Sequence, residues 1–297
     1  GETLNSEQVR SSLAKRLNIH LDHPAKESHH IEGIVQTMMD AVSNYQQPLT
    51  SERLFGWHAT LFSTGFSGMD KILVGQYRTG EIQVVSTRSY EPMVYYDAPM
   101  PDQVPQQMTT FLNWLNNTNT TNPIIKAAIA HLWFVIIHPF DDGNGRLARI
   151  ITEMLLARTE QTDLRFYSMS AQIQSEKRDY YRILEITTTG DTDITMWIEW
   201  FLNCLYRAMS ASDTMIESVL KKSLFWKKHA ADITNPKQQE IINRLLDGFV
   251  GNMTSGKAAQ FLHVSQDTAT RTLLDLTNMG ILEQHGAGRS THYVLKG

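Results

Sequence analysis

Apolar residues recur along much of this chain at the three-to-four-residue spacing of helices that bury one face. Met38, Met39, Val42 and Tyr45 mark such a face within a first stretch, to about residue 45, that reads as helical. Pro48 and Thr50 interrupt it, and Leu54 to Leu61 resumes it with aromatic residues. The texture then changes. Gly65, Gly68, Gly75 and Gly80 punctuate a segment in which Ile82, Val84 and Val85 predict a short strand or hairpin. A proline-rich, irregular connector follows, and then a helix from Pro105 to about Asn116, with Met108, Phe111, Leu112 and Leu115 on one face. Asn122-Pro123 is a capping residue followed by proline at the first turn, a good helix start. That helix runs through Ala127, Ala130 and Trp133 to Ile137 and stops there, because Pro139 disfavours helical geometry at His138. The next begins near Asn144 and buries Leu147, Ile150, Ile151, Met154 and Leu155. Further helices are predicted over 171–187 and 193–210.

Length changes this picture by dividing it. The 297 residues make about two domains at roughly 150 residues each. A hydrophobic share of 41% supports real cores, and the charge sum of −4 excludes a broadly basic nucleic-acid coat. The only cysteine, Cys204, excludes a disulfide framework or a Cys-rich zinc module and points to a reducing, cytoplasmic setting. No apolar run approaches the roughly 20 residues a membrane span needs. Gly1-Glu2-Thr3-Leu4 is not a signal peptide, and the chain has no initiator Met.

Between the two central helices lies His138-Pro139-Phe140-Asp141-Asp142-Gly143-Asn144-Gly145-Arg146-Leu147-Ala148-Arg149. Alone, Asp-Gly-Asn-Gly is most simply a tight turn. Here it opens a helix. Glycines at 143 and 145 let successive backbone N–H groups converge into an anion nest, and the helix adds its positive end. Arg146 and Arg149, three apart, share the face opposite the apolar stripe. Together these groups suit a polyphosphate. Asp142 is a hard oxygen ligand suited to Mg²⁺, which takes one or two carboxylates plus phosphate oxygens. His138 is the group here able to accept a proton near neutral pH. The parts point to nucleotide transfer onto a nucleophile activated by a histidine.

This run resembles the signature of the Fic family, His-Pro-Phe-x-Asp/Glu-Gly-Asn-Gly-Arg-x-x-Arg, at every specified position. Gly75-Gln76-Tyr77-Arg78 with Gln83-Val84-Val85-Ser86 resembles the family's β-hairpin flap, and Tyr180-Tyr181 its tyrosine pair near the adenine. The resemblance covers roughly residues 1–210. It implies a Fic-type helical domain with a small β-hairpin flap (1–210); the residues beyond it read as a helical connector (211–235) and a C-terminal winged-helix domain (236–297), so the chain is expected to be mainly α. It also implies a protein adenylyltransferase that uses ATP and Mg²⁺ and modifies a hydroxyl side chain of a protein target, itself included. His138 would then be the general base and Asp142 the Mg²⁺ ligand. Gly143, Asn144 and Gly145 would bind phosphate oxygens through their N–H groups. Arg146 and Arg149 would contact the β- and γ-phosphates, with Tyr180 and Tyr181 beside the adenine. Val84, Val85 and Ser86 would hold the target by main-chain pairing. One departure is that an asparagine often found eight residues after the first tyrosine falls at Thr188. Removal of AMP, or a DNA-binding or interaction regulator built on a Fic core, are the alternative readings.

Many family members are held off by Ser/Thr-x-x-x-Glu-Gly/Asn, whose glutamate pairs with the second loop arginine. Ser28 to Gly33 matches that pattern. The chain's first residues, however, resemble those that follow the inhibitory glutamate in family members. The expectation is therefore that Glu32 is a chance match in a later core helix, Gly33 allows close helix approach, and the inhibitory glutamate lies before residue 1.

The last unit reads as a winged helix: helices over 237–249, 255–262 and 266–279, then strands flanking Gly286 to Arg289. Its six Lys/Arg and five Asp/Glu, with Arg271 expected to pair with Asp267 and Asp275, favour protein interaction or homodimer packing over DNA. Gly251-x-x-x-x-Gly256-Lys257-Ala258 is nearly a P-loop but lacks the terminal Ser/Thr and a preceding strand, so it reads as a linker into a helix. His20, His23, His29 and His30 cluster without a metal-binding pattern.

Overall fold

The computed structural model describes residues 9, 11, 29–86, 93–118, 121–190 and 192–296. The chain forms two compact units, Gly1–Ser210 and Ala211–Gly297. The expectations for Gly1 to Leu4 and for the His20/His23 cluster lie outside the described residues.

The first unit is built on helices α1 (His29–Ser43), α2 (Ser51–Leu61), α3 (Val104–Asn117), α4 (Pro123–Ile137), α5 (Asn144–Glu160), α6 (Met169–Ser175) and α7 (Lys177–Thr189), with the start of α8 (Thr195–His229). Helices α4 and α5 pack against each other at its centre. Asn122 caps α4 as the sequence predicts, its side chain accepting from the N–H groups of Ile124 and Ile125. Helix α4 is apolar nearly all round, so it is buried on several faces. The predicted stripe of α5, Leu147, Ile150, Ile151, Met154 and Leu155, is fully inside. Each such side chain contributes about 1.5–3 kcal/mol of burial. Trp197 at the start of α8 is buried and donates its indole N–H to the Ala128 carbonyl at 2.8 Å, fixing α8 against α4.

Helix α1 crosses α2 at Gly33. A Cβ there would lie 2.3 Å from the Thr60 carbonyl oxygen, so only glycine permits this approach. Ile31 and Val35 on either side are buried. Glu32 is thus part of a helix packed into the domain.

Among the described residues, two hairpins complete this unit. The first, β1 (Phe66–Ser67) with β2 (Asp70–Lys71), was not legible in the glycine pattern. The second pairs β3 (Gln83–Ser86) antiparallel with β4 (Met93–Asp97), with a register shift between Val84 and Val85. The single helix expected over 171–187 is two, broken at Glu176. The expected boundary near residue 211 does not interrupt α8, because no glycine or proline occurs between Thr195 and His229 to end a helix.

The second unit holds α9 (Pro236–Leu246), α10 (Ser255–Leu262) and α11 (Gln266–Asn278), capped by Asn235, Thr254 and Ser265. Strands β5 (Leu282–His285) and β6 (His292–Leu295) follow as a hairpin, and Met253 bridges to Tyr293. Ile241, Ile242, Met253, Leu273, Leu276 and Tyr293 form its core, and Phe225 and Trp226 of α8 pack on it. Arg271 makes no ion pair with a described residue, which corrects the expected pairing with Asp267 and Asp275. Exposed pairs one turn apart are worth only a few tenths of a kcal/mol, too little to hold them closed against solvation. The near-P-loop is the entry to α10: Gly251 has φ +86°, and the Lys257 ammonium lies over the Phe249 ring.

Candidate active site

The loop between α4 and α5 is held by its own side chains. Asn144 turns inward and is buried. Its amide oxygen accepts from the Phe140 N–H at 3.0 Å and its amide nitrogen donates to the Phe140 carbonyl at 2.7 Å. Phe140 is fully buried and stacks on His58, with ring centroids 4.2 Å apart. Gly143 has φ +84°, and a Cβ there would approach the Phe62 ring to 2.7 Å. Asn144 begins the helix, so the N–H groups of residues 143–145 belong to its open N-terminal turn.

His138 ends α4 in the left-handed region, φ 49°. Its ring Nδ1 lies 3.3 Å from the Val135 carbonyl, an atom that can only accept. The proton therefore sits on Nδ1, and Nε2 keeps its lone pair. Burial pushes the imidazole below its ordinary pKa, and the Arg78 charge adds to this, against opposing effects of the Val135 carbonyl and Asp142. His138 is thus neutral, the form a general base requires.

Asp142 is engaged on both carboxylate oxygens. One accepts from the Gly143 N–H; the other accepts from the Ser67 hydroxyl of β1 and from Arg146 at 3.3 Å. The Arg146 guanidinium also lies over the Phe62 ring, 4.4 Å from its centroid. Arg149 pairs with no carboxylate among the described residues. Asp142, Gly143, Gly145, Arg146, Arg149, Tyr180 and Tyr181 border a cavity of ≈ 1200 Å³, which His138 and Asn144 do not line. That volume is ample for a nucleotide, since ligand pockets run to roughly 1,000 Å³. The fold therefore brings the loop's carboxylate and arginines together with the tyrosine pair. Tyr180 is buried, and its hydroxyl points away from solvent to His131; Tyr181 is half exposed. Thr188 spends its hydroxyl on carbonyls of its own helix, Leu184 and Glu185. Val84, Val85 and Ser86 lie in β3, whose partner β4 runs beside α7.

Three supports escaped the sequence reading. His58, fully buried on α2, accepts the Gly75 N–H on Nδ1 and so donates from Nε2 to the Asp142 carbonyl, each at 3.1 Å. Asp141 accepts from the Leu73 N–H at 2.8 Å. Arg78 is 2% exposed and donates to the carbonyls of His138, Gly80 and Pro99. In sequence, His58 is one more residue on an aromatic helix face, and Arg78 is an ordinary charge. Nothing local marks either as holding a loop some 60 or 80 residues away.

Residues 48–156 match the Fic/DOC family model. The protein adenylyltransferase fic-1 of Caenorhabditis elegans is 32% identical over 124 residues, which cover 41% of this chain and 22% of that protein. A probable protein adenylyltransferase of Aquifex aeolicus is 26% identical over 163 residues, 51% of each chain. The chain thus spans about half, or less, of the length of these curated relatives. A Fic family protein from Desulfovibrio desulfuricans G20 shares the fold, with a TM-score of 0.52 at 24% identity over 99% of this chain and 82% of that one. The match to the Fic/DOC family thus falls on the part of the chain that contains His58, Arg78, the His138–Arg149 loop and helices α2 to α4.

Proposed function

We propose that this chain is a protein adenylyltransferase that moves AMP from ATP to a Ser, Thr or Tyr hydroxyl of a target protein, itself included. The observation that carries this reading is a single loop that runs from a neutral His138 to the Asp142 carboxylate, the N-terminal turn of α5 and Arg149, which pairs with no carboxylate among the described residues; Asp142, Gly143, Gly145 and Arg149 of this loop border one large cavity. The relative from C. elegans is a protein adenylyltransferase and that from A. aeolicus a probable one, which supports it.

In this mechanism the target oxygen attacks the α-phosphorus, its proton passes to Nε2 of His138, and the bond to the β-phosphate oxygen breaks to release pyrophosphate. The N–H groups of Asn144 and Gly145, and that of Gly143 once it leaves the Asp142 carboxylate, take the phosphate oxygens, where negative charge must be held as the bond exchanges. Arg146 and Arg149 hold the β- and γ-phosphates bidentately, which an ammonium cannot do. Tyr180 and Tyr181 flank the base. The β3 segment Val84 to Ser86 pairs with the target's main chain, presenting its hydroxyl to His138.

Asp142 fits Mg²⁺: one carboxylate at the edge of a phosphate-sized cavity is the donor set this ion takes when phosphates supply the rest. Among the described residues no group of three or more His, Cys, Asp or Glu side chains could hold a metal by itself. Bound with the nucleotide, Mg²⁺ would neutralise phosphate charge. Asp142 must first release Ser67 and Arg146 to take it.

The test uses ATP labelled at the α-phosphate, with wild type beside His138→Ala. Label on protein that disappears in the variant is the expected result; no label on the chain or on lysate proteins would sink the reading. For the second unit, three helices followed by a hairpin fit a winged helix. Its near-neutral charge favours a protein-interaction or homodimer role over DNA. A gel shift at physiological salt would reverse that preference. Among the described residues no helix is long and apolar enough to cross a membrane. The single cysteine, buried Cys204, suits a cytoplasmic setting.

A further inference from the structure

Beneath the cavity, three helices meet in one buried polar chain. His131 of α4 is fully enclosed; its Nδ1 lies 2.8 Å from the Thr152 hydroxyl of α5 and its Nε2 lies 3.0 Å from the Tyr180 hydroxyl of α7. The direction of every bond follows from counting protons. Thr152 gives its only proton to the Ala148 carbonyl at 2.9 Å. It can therefore only accept from His131, which places the ring proton on Nδ1. Nε2 is left as an acceptor, and Tyr180 donates to it. The chain is fully satisfied, so it is rigid rather than costly. Burial lowers the His131 pKa to about 3, the nearby Arg149 charge adding to this, and burial raises that of Tyr180. Neither ring changes charge near neutrality.

The surroundings show what this chain orients. Tyr180 and Tyr181, whose ring centroids are 5.2 Å apart, both border the cavity. Thr152 lies one turn along α5 from Arg149, which also borders the cavity. Trp197 and Trp200 pack against the Tyr180 ring. The hydrogen bond to His131 anchors the hydroxyl end of that ring, and so where the ring stands in the α7 wall. We propose that His131 is a positioning residue for nucleotide binding: acting through Tyr180, it sets the α7 wall of the cavity at a fixed distance from Arg149 and the phosphate loop.

This inference rests on the adenylyltransferase reading, and the experiment separates the two. ATP binding with Mg²⁺ is measured by calorimetry on the full chain for wild type, His131→Phe, Tyr180→Phe and the double variant. Each single change is expected to weaken ATP binding about 5- to 10-fold, and the double variant no more than the worse single one, because both break the same link. In turnover, His131→Phe should raise the KM for ATP while kcat at saturating ATP and the pH profile stay in place. A residue serving only stability would lower the melting temperature and leave the KM alone. An ATP affinity within twofold of wild type, or losses that add in the double variant, would overturn the inference. If His131→Phe does not fold, Thr152→Val takes its place in the cycle, with the same two outcomes. A wild-type chain that binds no ATP would instead overturn the nucleotide-site reading and this inference with it.

Discussion

The guanidinium of Arg78 donates through Nε to the main-chain carbonyl of His138 at 2.8 Å, and its other nitrogens reach the carbonyls of Gly80 and Pro99 at 2.8 and 2.5 Å. One side chain thus ties the residue that ends α4 to both legs of the β3–β4 hairpin. The Arg78 N–H adds a bond to the Pro139 carbonyl at 2.9 Å. The hairpin that would hold a target and the histidine that would activate it share a single buried anchor.

Removing that anchor leaves three carbonyls without their donor in a closed site. Arg78→Ala is expected to destabilise the first unit by about 3 kcal/mol or more, since each charge-assisted bond is worth roughly 1.5–3 kcal/mol. Lysine keeps the charge but not the planar fork, so Arg78→Lys should recover less than half of the loss. Urea unfolding followed by tryptophan fluorescence measures both, and a change within 1 kcal/mol for alanine (about a fivefold shift in the equilibrium) would show that the three bonds carry little.

The rate of adenylyl transfer should depend on His138 being neutral. Its pKa is lowered, chiefly by burial, so kcat/KM should fall on acidification with a midpoint below the ordinary histidine value of 6.5. A profile of labelling rate against pH checks this. A midpoint above that value would mean that another group limits the reaction.

Glu32 and Gly33 make opposite predictions to an inhibitory motif. Glu32→Gly should not raise the labelling rate, because Arg149 pairs with no carboxylate among the described residues for the change to release. Gly33→Ala should cost about 1–3 kcal/mol, because its Cβ would meet the Thr60 carbonyl at 2.3 Å and α1 must shift from α2. Label incorporation and thermal melting test the pair. A large gain in rate for Glu32→Gly would restore the inhibitory reading of Ser28 to Gly33.

Stability should fall in acid, with a sign fixed by the buried histidines. The folded pKa of His131 is about 3, below its unfolded value of 6.5, so the unfolded chain binds more protons between those values. Its contribution is fully present above pH 6.5 and is lost at about 1.4 kcal/mol per pH unit as the pH falls toward 3. His58 and His138, also lowered by burial, act in the same direction. Urea unfolding at pH 7 and pH 5 measures the slope, and His131→Phe should make it shallower. An unchanged slope in that variant would remove His131 from the account.

Much of the fold follows from local chemistry. Asn122 and Pro123 start α4, Pro139 stops it, and the spacing from Leu147 to Leu155 buries one face of α5; each is a short-range effect of capping, sterics or periodicity. The same holds at Gly33, where the pattern predicts a close approach and the helix pair makes it. Where the chain's preferences are weak, the pattern falls short. The β1–β2 hairpin has strands of two residues each, too short to show alternation. The break at Glu176 has neither glycine nor proline to announce it.

The chemistry of the loop is likewise a property of twelve neighbouring residues, because a nest, a helix terminus and arginines one turn apart are all set by short-range geometry. What holds that chemistry in place is not. His58 reaches Asp142, Asp141 reaches Leu73, Arg78 reaches His138, and His131 reaches Tyr180, across separations that only the packing of helices closes. Hydrogen-bond direction also depends on that packing: the proton on each histidine is assigned by the partner facing it, and burial keeps each ring neutral. The sequence therefore determined which groups the site contains, since local geometry fixes them. Tertiary structure decided their orientation and charge, since those depend on partners and desolvation from distant segments.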